Sequence, residues 1–378
     1  MSVAAPSVRD MTNSKHHPSP VITDPARARF TEELTTALRA GADAPAPGPL
    51  LVTASMLLDV AAGASDPSTH TATVVRALSA WNRPECSAGA LAIATLAGDG
   101  GLRRQVRRDA AGRGHPLPRW LVELQRAEPA ARAVELSTVF RAVDELVVGV
   151  VVPGGHCLTA VVHVDNELGF RAVDGSVSAQ PVDAVVAGDV DGADPDVRAR
   201  DIEPADARAR LADALRDPDL DTLSDRSTPW RQVRPLVRWL VSTLPDGGEA
   251  AVSTVAHDSD LDDVVDAFLA SPWGRPWVHG GLPELAEAFL ADGLGNGLGD
   301  PLLWAPHHVR RSLDPGGSAL DHYELDTSRA PELLRDLIRY GHAERGLRPG
   351  LTDDALTAVD RHAGPYLAAV RAWHDDAA

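Results

Sequence analysis

The stretch ELVVGVVVPGGHCLTAVVHVDNELG, residues 145–169, consists of two apolar runs that are joined by a glycine turn and followed by a polar segment. Both runs are rich in valine, a residue that favours β-strands. A two-residue hairpin turn at Gly154 and Gly155 predicts that Val152 lies opposite Cys157. Both faces of the hairpin are largely apolar, so we expect it to be covered on both sides or to lie in the middle of its sheet.

The residues on either side of this hairpin continue the β pattern and then change to helical periodicity. VELSTVFRAVD at 134–144 and FRAVDGSVS at 170–178 predict further strands, so we expect three or four antiparallel strands between residues 134 and 187. The rest of the chain shows apolar residues at helical spacing. The sequence therefore predicts an α+β fold with a helical N-terminal unit, a small central antiparallel sheet of three or four strands and a helical C-terminal domain.

A chain of 378 residues exceeds the usual size of one hydrophobic core, so several packed units are expected. In the last unit, we expect Thr352 to cap a helix that has Asp353 and Asp354 in its first turn. Changes of composition predict five parts: a disordered tail at 1–27, an N-terminal helical unit at 28–130, an antiparallel β unit at 131–187, an acidic linker with one helix at 188–228 and a C-terminal helical domain at 229–378.

The composition argues against several classes of function. The formal net charge of −18 disfavours nucleic-acid binding, because a polyanion would be repelled. Cys86 and Cys157 form no paired metal-ligand motif and fit a reducing interior. The N-terminal residues do not form a signal peptide, and charged residues interrupt every apolar stretch that approaches the roughly 20 residues of a membrane span. We therefore expect a cytoplasmic protein without membrane contacts.

Sequence motifs for several large enzyme families are also missing. The chain contains no GxxxxGK[ST], HExxH or GxSxG motif. GLGNGLG at 293–299 does not satisfy GxGxxG and follows a helix instead of a strand, so it does not predict a dinucleotide site. We accordingly expect no cofactor and no resident metal.

The polar end of the hairpin is the first candidate site. His163, Asp165 and Glu167 have side chains that act as acids, bases or metal ligands. Such a site needs a further group from elsewhere in the chain, for example from the C-terminal domain, where His279, His307 and His308 are available. The alternative is that residues 165–169 form a turn in which Asp and Asn side chains bond their own backbone and Gly169 takes a positive φ. Sequence spacing favours the turn.

An arginine cluster is the clearest charge feature of the chain. The four arginines are spaced by three and four residues, which places them along one side of a helix: Arg103, Arg104, Arg107 and Arg108. Three interpretations are open: a solvated helix face, docking onto the acidic segment at 189–225, or a site for an anionic ligand or protein partner.

A tryptophan-rich loop is the third candidate. SPWGRPWVHGG at 271–281 places Trp273, Arg275 and Trp277 between two predicted helices. Tryptophan and arginine are enriched at binding hot spots, so this loop predicts a surface for a protein partner. The alternative is that the indole rings fill gaps between helices.

Four stretches of the chain belong together: PGGHCLTAVVHVDNELGFRAVDG at 153–175, DPLLWAPHHVRRSLDP at 300–315, APELLRDLIRYGHAERGL at 330–347 and TDDALTAVDRHAGPYL at 352–367. They resemble a family of uncharacterised actinobacterial proteins. The resemblance covers about half of the chain, and the family implies no established activity, so no residue role is transferred from it. Lys15 is the only lysine among 36 basic residues, which is typical of a high-GC actinobacterial-type genome.

Taken together, these patterns favour a cytoplasmic binding or regulatory protein that acts through protein–protein contacts at the tryptophan loop or the arginine cluster. The alternative is a metal-assisted or acid/base hydrolase, whose site would lie at the junction of the β unit and the C-terminal domain. Phosphate or nucleic-acid binding through the arginine helix is a third class, which the net charge disfavours.

Overall fold

The predicted hairpin forms the centre of an antiparallel sheet in the computed structural model. This structure describes residues 25–62, 66–167, 169–190, 195–216, 229–250, 258–280, 282–294, 299–315 and 325–377. Within these ranges the chain forms fourteen α-helices and one sheet, so the predicted α+β class is confirmed. Of the predicted tail at 1–27, residues 1–24 lie outside the described residues, and the first helix begins at Pro25.

The described sheet has six strands, so the prediction of three or four strands was too low. Their order is β5-β4-β3-β2-β6, and β1 pairs with β3. The sixth strand lies in the segment predicted as an acidic linker, where its charged and largely exposed residues show no apolar alternation. The strands are β1 (Glu128–Pro129), β2 (Ala133–Ser137), β3 (Val143–Val152), β4 (His156–Asp165), β5 (Arg171–Ser178) and β6 (Arg198–Ile202).

The predicted register of the central hairpin was wrong by one residue. Val152 lies opposite His156 and Val151 lies opposite Cys157, so the turn contains three residues, Pro153 to Gly155. Both glycines have positive φ, 100° for Gly154 and 81° for Gly155. Side-chain alternation within each strand was predicted correctly, but the slip changes which residues of β3 share a face with which residues of β4.

Helices of the N-terminal unit cover one face of the sheet. Their apolar residues form a single core with the inward side chains of β3 and β4, such as Leu146 and Leu158. These helices are α1 (Pro25–Asp43), α2 (Gly48–Ala62), α3 (Pro67–Ala80), α4 (Pro84–Leu96), α5 (Gly100–Gly112) and α6 (Arg119–Val122). The predicted boundary between the helical unit and the β unit stays a prediction, but in packing terms the two share this first core.

The opposite face of the sheet is covered by α7 (Val182–Val190), which was not predicted. Val182 and Val186 of this helix form a small cluster with β-strand residues that include Val147 and Val161. The hairpin is therefore covered on both sides, as its two apolar faces predicted.

Two further helices extend the first core. The predicted helix of the linker is confirmed as α8 (Pro204–Ala214), and α9 (Pro229–Ser242) packs against α2 and β5. The described part of the linker contributes to the first core, because α8 buries Ala207 and Leu211 there. Residues 191–194 and 217–228 of that linker lie outside the described residues.

The C-terminal helices form a second core, with Phe268, Trp304 and Leu337 among its fully buried residues. Its last helix begins at Pro349, so the predicted N-cap at Thr352 was wrong: Thr352 lies inside the helix and its hydroxyl is 3.0 Å from Nδ1 of His342. The helices are α10 (Asp258–Ala270), α11 (Leu282–Leu294), α12 (Pro306–Ser312), α13 (Ala330–Glu344) and α14 (Pro349–Ala377).

A buried ionic network joins α8 to the sheet. The guanidinium group of Arg210 donates to Glu135 of β2 and to Asp144 of β3. All three side chains are at least 93% buried. Burial raises the pKa of Asp144, but hydrogen bonds from Arg141, Asn166 and Arg210 outweigh it and hold the pKa below its ordinary value.

Packing of α9 onto the sheet generates a prediction at Gly175. A Cβ atom at this position of β5 would lie 2.6 Å from the Trp230 ring and 2.7 Å from the Val161 carbonyl oxygen. We expect Gly175→Ala to lower the free energy of unfolding by about 1–3 kcal/mol, because Trp230 would have to move. Urea denaturation measures this change.

Gly188→Ala in α7 is the matched control, since a Cβ atom there would meet nothing within 4 Å. We expect this control to be neutral or to stabilise by up to about 1 kcal/mol. Equal effects of the two substitutions would contradict the packing argument.

Candidate functional site

The first candidate site begins at the turn that ends β4. Oδ1 of Asp165 accepts the Glu167 backbone N–H at 2.9 Å, and Gly169 has a φ of 77°, as the turn interpretation predicted. Asn166 anchors the turn from below, because its Nδ2 donates to the Arg141 carbonyl at 2.7 Å and to Asp144 at 2.9 Å. The turn therefore presents Glu167 at a defined position.

The C-terminal domain supplies the groups that meet Glu167. Oε1 of Glu167 lies 2.9 Å from Nε2 of His307 and 2.5 Å from Nε2 of His308, and Oε2 accepts from Nη1 of Arg311 at 3.2 Å. We call Glu167, His307, His308 and Arg311 the Glu167 clasp. Two of the three histidines proposed as additional groups are thus at the site, whereas His279 is exposed on the tryptophan loop.

Electrostatics keep the clasp carboxylate ionised. Burial raises the pKa of Glu167, but the hydrogen bonds from His307 and His308 outweigh burial and lower its pKa well below the ordinary range. The His308 side chain is only 1% exposed, and its pKa is lowered, chiefly by burial, despite the hydrogen bond to Glu167. One arrangement accounts for both lowered pKa values: His308 is neutral and donates a hydrogen bond to a charged Glu167.

The tautomer of His308 follows from the start of α12. The backbone N–H of Ala305 donates to Nδ1 of His308 at 3.1 Å, so Nδ1 acts as an acceptor. A neutral imidazole has one donor and one acceptor nitrogen, which places the proton on Nε2, directed at Glu167. The helix cap and the clasp therefore select the same tautomer.

This hydrogen bonding also bears on metal binding. Glu167, His307 and His308 offer three ligand atoms that lie within 4.8 Å of one another. A metal on Nε2 of His308 would move the ring proton to Nδ1, where it would face the Ala305 N–H instead of an acceptor. The arrangement suits a hydrogen-bonded carboxylate–histidine cluster better than a coordination site.

His163 and Asp165 do not join the clasp. They lie on the face of β4 that is opposite to the first core, and His163 is paired in register with Glu145 of β3 and Asp174 of β5. Asp165 is used in the turn itself. Within the described ranges, Glu167 is the one of the three predicted catalytic candidates that contacts histidines of the C-terminal domain.

The predicted arginine cluster lies on the outer side of α5. Val106 and Ala110 form the buried side of this helix, and Asp99 caps its first turn. Three of the four arginines, Arg104, Arg107 and Arg108, are exposed, and Arg103 is half-buried. None of the four guanidinium groups has an ion pair or hydrogen bond among the residues that the structure describes. We call Arg103, Arg104, Arg107 and Arg108 the arginine surface.

The tryptophan loop is only partly available to a partner. Trp277 is 1% exposed, donates from Nε1 to Asp336 at 3.1 Å and lies under the guanidinium group of Arg329. Trp273 is half-buried and packs near Tyr340, whereas Arg275 is exposed. In this conformation Trp277 fills a gap between helices and cannot touch a partner. It therefore fits the alternative interpretation, in which the indole rings of the loop are packing residues.

Neither cysteine forms a disulfide: Cys86 is buried, with its thiol pKa raised by burial, and Cys157 is half-buried.

The helices in the described ranges are all too short or too polar to cross a membrane.

Comparison with known proteins adds no assignment. No protein-family model, no curated protein and no solved structure matches the chain. The resemblance to an uncharacterised actinobacterial family therefore stays a prediction.

A buried histidine that the sequence did not single out also contacts the β unit. His342 of α13 is 1% exposed, and its ring lies 5.9 Å from that of Phe140, in the loop between β2 and β3. Burial lowers the pKa of His342 to about 4. No sequence pattern distinguishes it from a solvent-exposed histidine on an amphipathic helix.

The lowered pKa of His342 predicts acid sensitivity. Because the folded pKa lies below the ordinary value of about 6.5, its contribution to stability is complete above pH 6.5 and is lost as the pH falls towards 4. We expect this group alone to remove about 3 kcal/mol between pH 7 and pH 4. Urea denaturation across this range should show a shallower pH dependence for His342→Gln, and an unchanged slope would contradict the assignment. His279→Gln is the exposed control.

Proposed function

We propose that the protein is a cytoplasmic binding or regulatory protein that acts through protein–protein contacts, with the arginine surface as the docking site for an acidic segment of its partner. The observation that carries this proposal is the pairing state of the four arginines. They form no ion pair with other described residues, although the chain has 54 acidic residues and a net charge of −18.

Arginine pairs with carboxylates through a planar fork of donors, and free guanidinium groups at spacings of three and four residues match the carboxylates of an acidic helix or extended peptide. Because the rest of the chain is acidic, nucleic acid and anionic membranes would be repelled outside this patch. A partner with a short acidic segment avoids this repulsion. The alternative is that the arginine surface docks onto the chain's own acidic segment at 189–225. Residues 195–216 are a described part of that segment, and none of them pairs with the four arginines.

The tryptophan loop enters the proposal in a reduced form. Arg275 is exposed and Trp273 is half-buried, so these two side chains can contribute to a second contact, while Trp277 serves the second core. The loop on its own offers a smaller apolar surface than its sequence predicted.

A charge reversal tests the arginine surface. We expect a synthetic glutamate-rich peptide to bind the wild-type chain with an affinity that falls as salt rises, and Arg104→Glu/Arg108→Glu to weaken this binding at least about tenfold. Arg361→Glu/Arg371→Glu in α14 makes the same change of net charge at exposed positions and should bind nearly as the wild type does. Fluorescence anisotropy measures the affinities. Equal weakening in both variants, or equally tight binding of a DNA duplex, would contradict the proposal.

A second candidate function is acid/base hydrolysis at the clasp, which one observation favours. Glu167 is ionised and holds Nε2 of His307, whose side chain is 42% exposed, in the way that a carboxylate orients a catalytic histidine. In this arrangement Nδ1 of His307 would take a proton from water, the water would attack the substrate, and the imidazolium would return the proton to the leaving group.

If His307 is the catalytic base, we expect turnover of an ester, phosphoester or amide substrate without added metal. We expect His307→Asn to lose that turnover. His279→Asn is the control, since His279 is an exposed histidine remote from the clasp in sequence. Equal rates for wild type and His307→Asn would remove this candidate. One Zn²⁺ bound per chain and lost in His308→Ala would instead favour the metal-assisted version and overturn the tautomer argument.

A further inference from the structure

Besides the small cluster between α7 and the sheet, the described residues form two large hydrophobic cores that share no buried side chain. The first contains α1 to α6, the sheet, α8 and α9, and the second contains α10 to α14. Each core has its own fully buried aromatic or leucine residues, so each body has the apolar interior that independent folding requires. We refer to them as the first body and the second body.

Polar contacts are prominent where the two bodies meet. The Glu167 clasp joins the turn after β4 to α12. A second ion pair joins Asp196, just before β6, to Arg348, just before α14. The ring contact between Phe140 and His342 lies at the same junction. Interfaces of this kind resemble those of domains that move relative to each other.

We infer that the Glu167 clasp is a releasable joint: opening it lets the two bodies change their relative orientation while each of them stays folded. The clasp concentrates three donors of one short helix on a single carboxylate. His307 and Arg311 are each 42% exposed, so water can take over their hydrogen bonds when the joint opens.

The clasp differs from an ordinary surface ion pair in two respects. The Glu167 side chain is only 14% exposed, and the buried network beneath Asn166 fixes its position. His308 is buried and directs its Nε2 proton at Glu167, so removal of the carboxylate leaves a buried donor without its acceptor. The closed state is therefore one defined arrangement rather than one of several interchangeable surface contacts.

The joint has a consequence for regulation, and this part rests on the proposed function. The arginine surface belongs to the first body and the tryptophan loop to the second. A partner that touches both would bind the closed and the open states with different affinity and would shift the equilibrium between them. The joint itself does not depend on any partner.

Small-angle scattering on the isolated full-length protein tests the joint separately from partner binding. We expect Glu167→Ala and the double variant His307→Ala/Arg311→Ala each to raise the radius of gyration by about one-tenth over the ~21 Å of a compact chain of this length. The far-UV circular dichroism should stay unchanged. The thermal transition should separate into two, because the bodies no longer unfold together.

Glu145→Ala is the matched control, an acid of β3 that lies on the α7 side of the sheet and should leave both the scattering and the melt unchanged. The two clasp variants approach the same contact from opposite sides, so combining them should add no further expansion. An unchanged radius in both clasp variants would show that other contacts hold the bodies together. Loss of folded structure in both would show that the bodies are not independent. Either result overturns the proposal.

Discussion

The buried guanidinium group of Arg210 is the constraint on which the sheet and its surroundings depend. It ties α8 to Glu135 of β2 and Asp144 of β3, and all three side chains are at least 93% buried. Charges in such a place are tolerated only when they are paired and hydrogen-bonded, and removing one partner of a buried pair typically costs about 3–5 kcal/mol. Since Arg210 lies at least 66 residues from both acids in sequence, the network is satisfied in only one relative placement of helix and strands.

The same network extends to the junction of the two bodies. Asp144 accepts from the side chain of Asn166, whose amide also donates to the carbonyl of Arg141. Asn166 is followed directly by Glu167, so an ionic cluster needed for the sheet also sets the position of the clasp carboxylate. A disturbance at Arg210 should therefore be felt at the junction as well as in the core, through one short chain of hydrogen bonds.

Sequence periodicity predicted much of this fold, and its errors have local physical causes. The hairpin, the flanking helices and α8 follow from apolar spacing. The predicted register of the hairpin was wrong because the turn contains Pro153 as well as the two glycines, and the length of a turn sets the register of its strands. Strand β6 was missed because its residues are mostly charged and lie at a sheet edge, where packing does not require apolar side chains. Helix α14 begins at Pro349, three residues before Thr352, because proline is favoured in the first turn of a helix.

For the candidate site, residue types could be predicted but their chemical state could not. The sequence identified Glu167, His307 and His308 as possible acids, bases or metal ligands. It did not identify Arg311, because nothing in the sequence relates a turn after β4 to α12. Whether two histidines and a carboxylate coordinate a metal or share protons depends on which nitrogen carries hydrogen. Here a single backbone N–H, that of Ala305, occupies Nδ1 of His308 and leaves Nε2 as a donor. A helix cap thus decides the chemistry of a side chain 141 positions away from its partner.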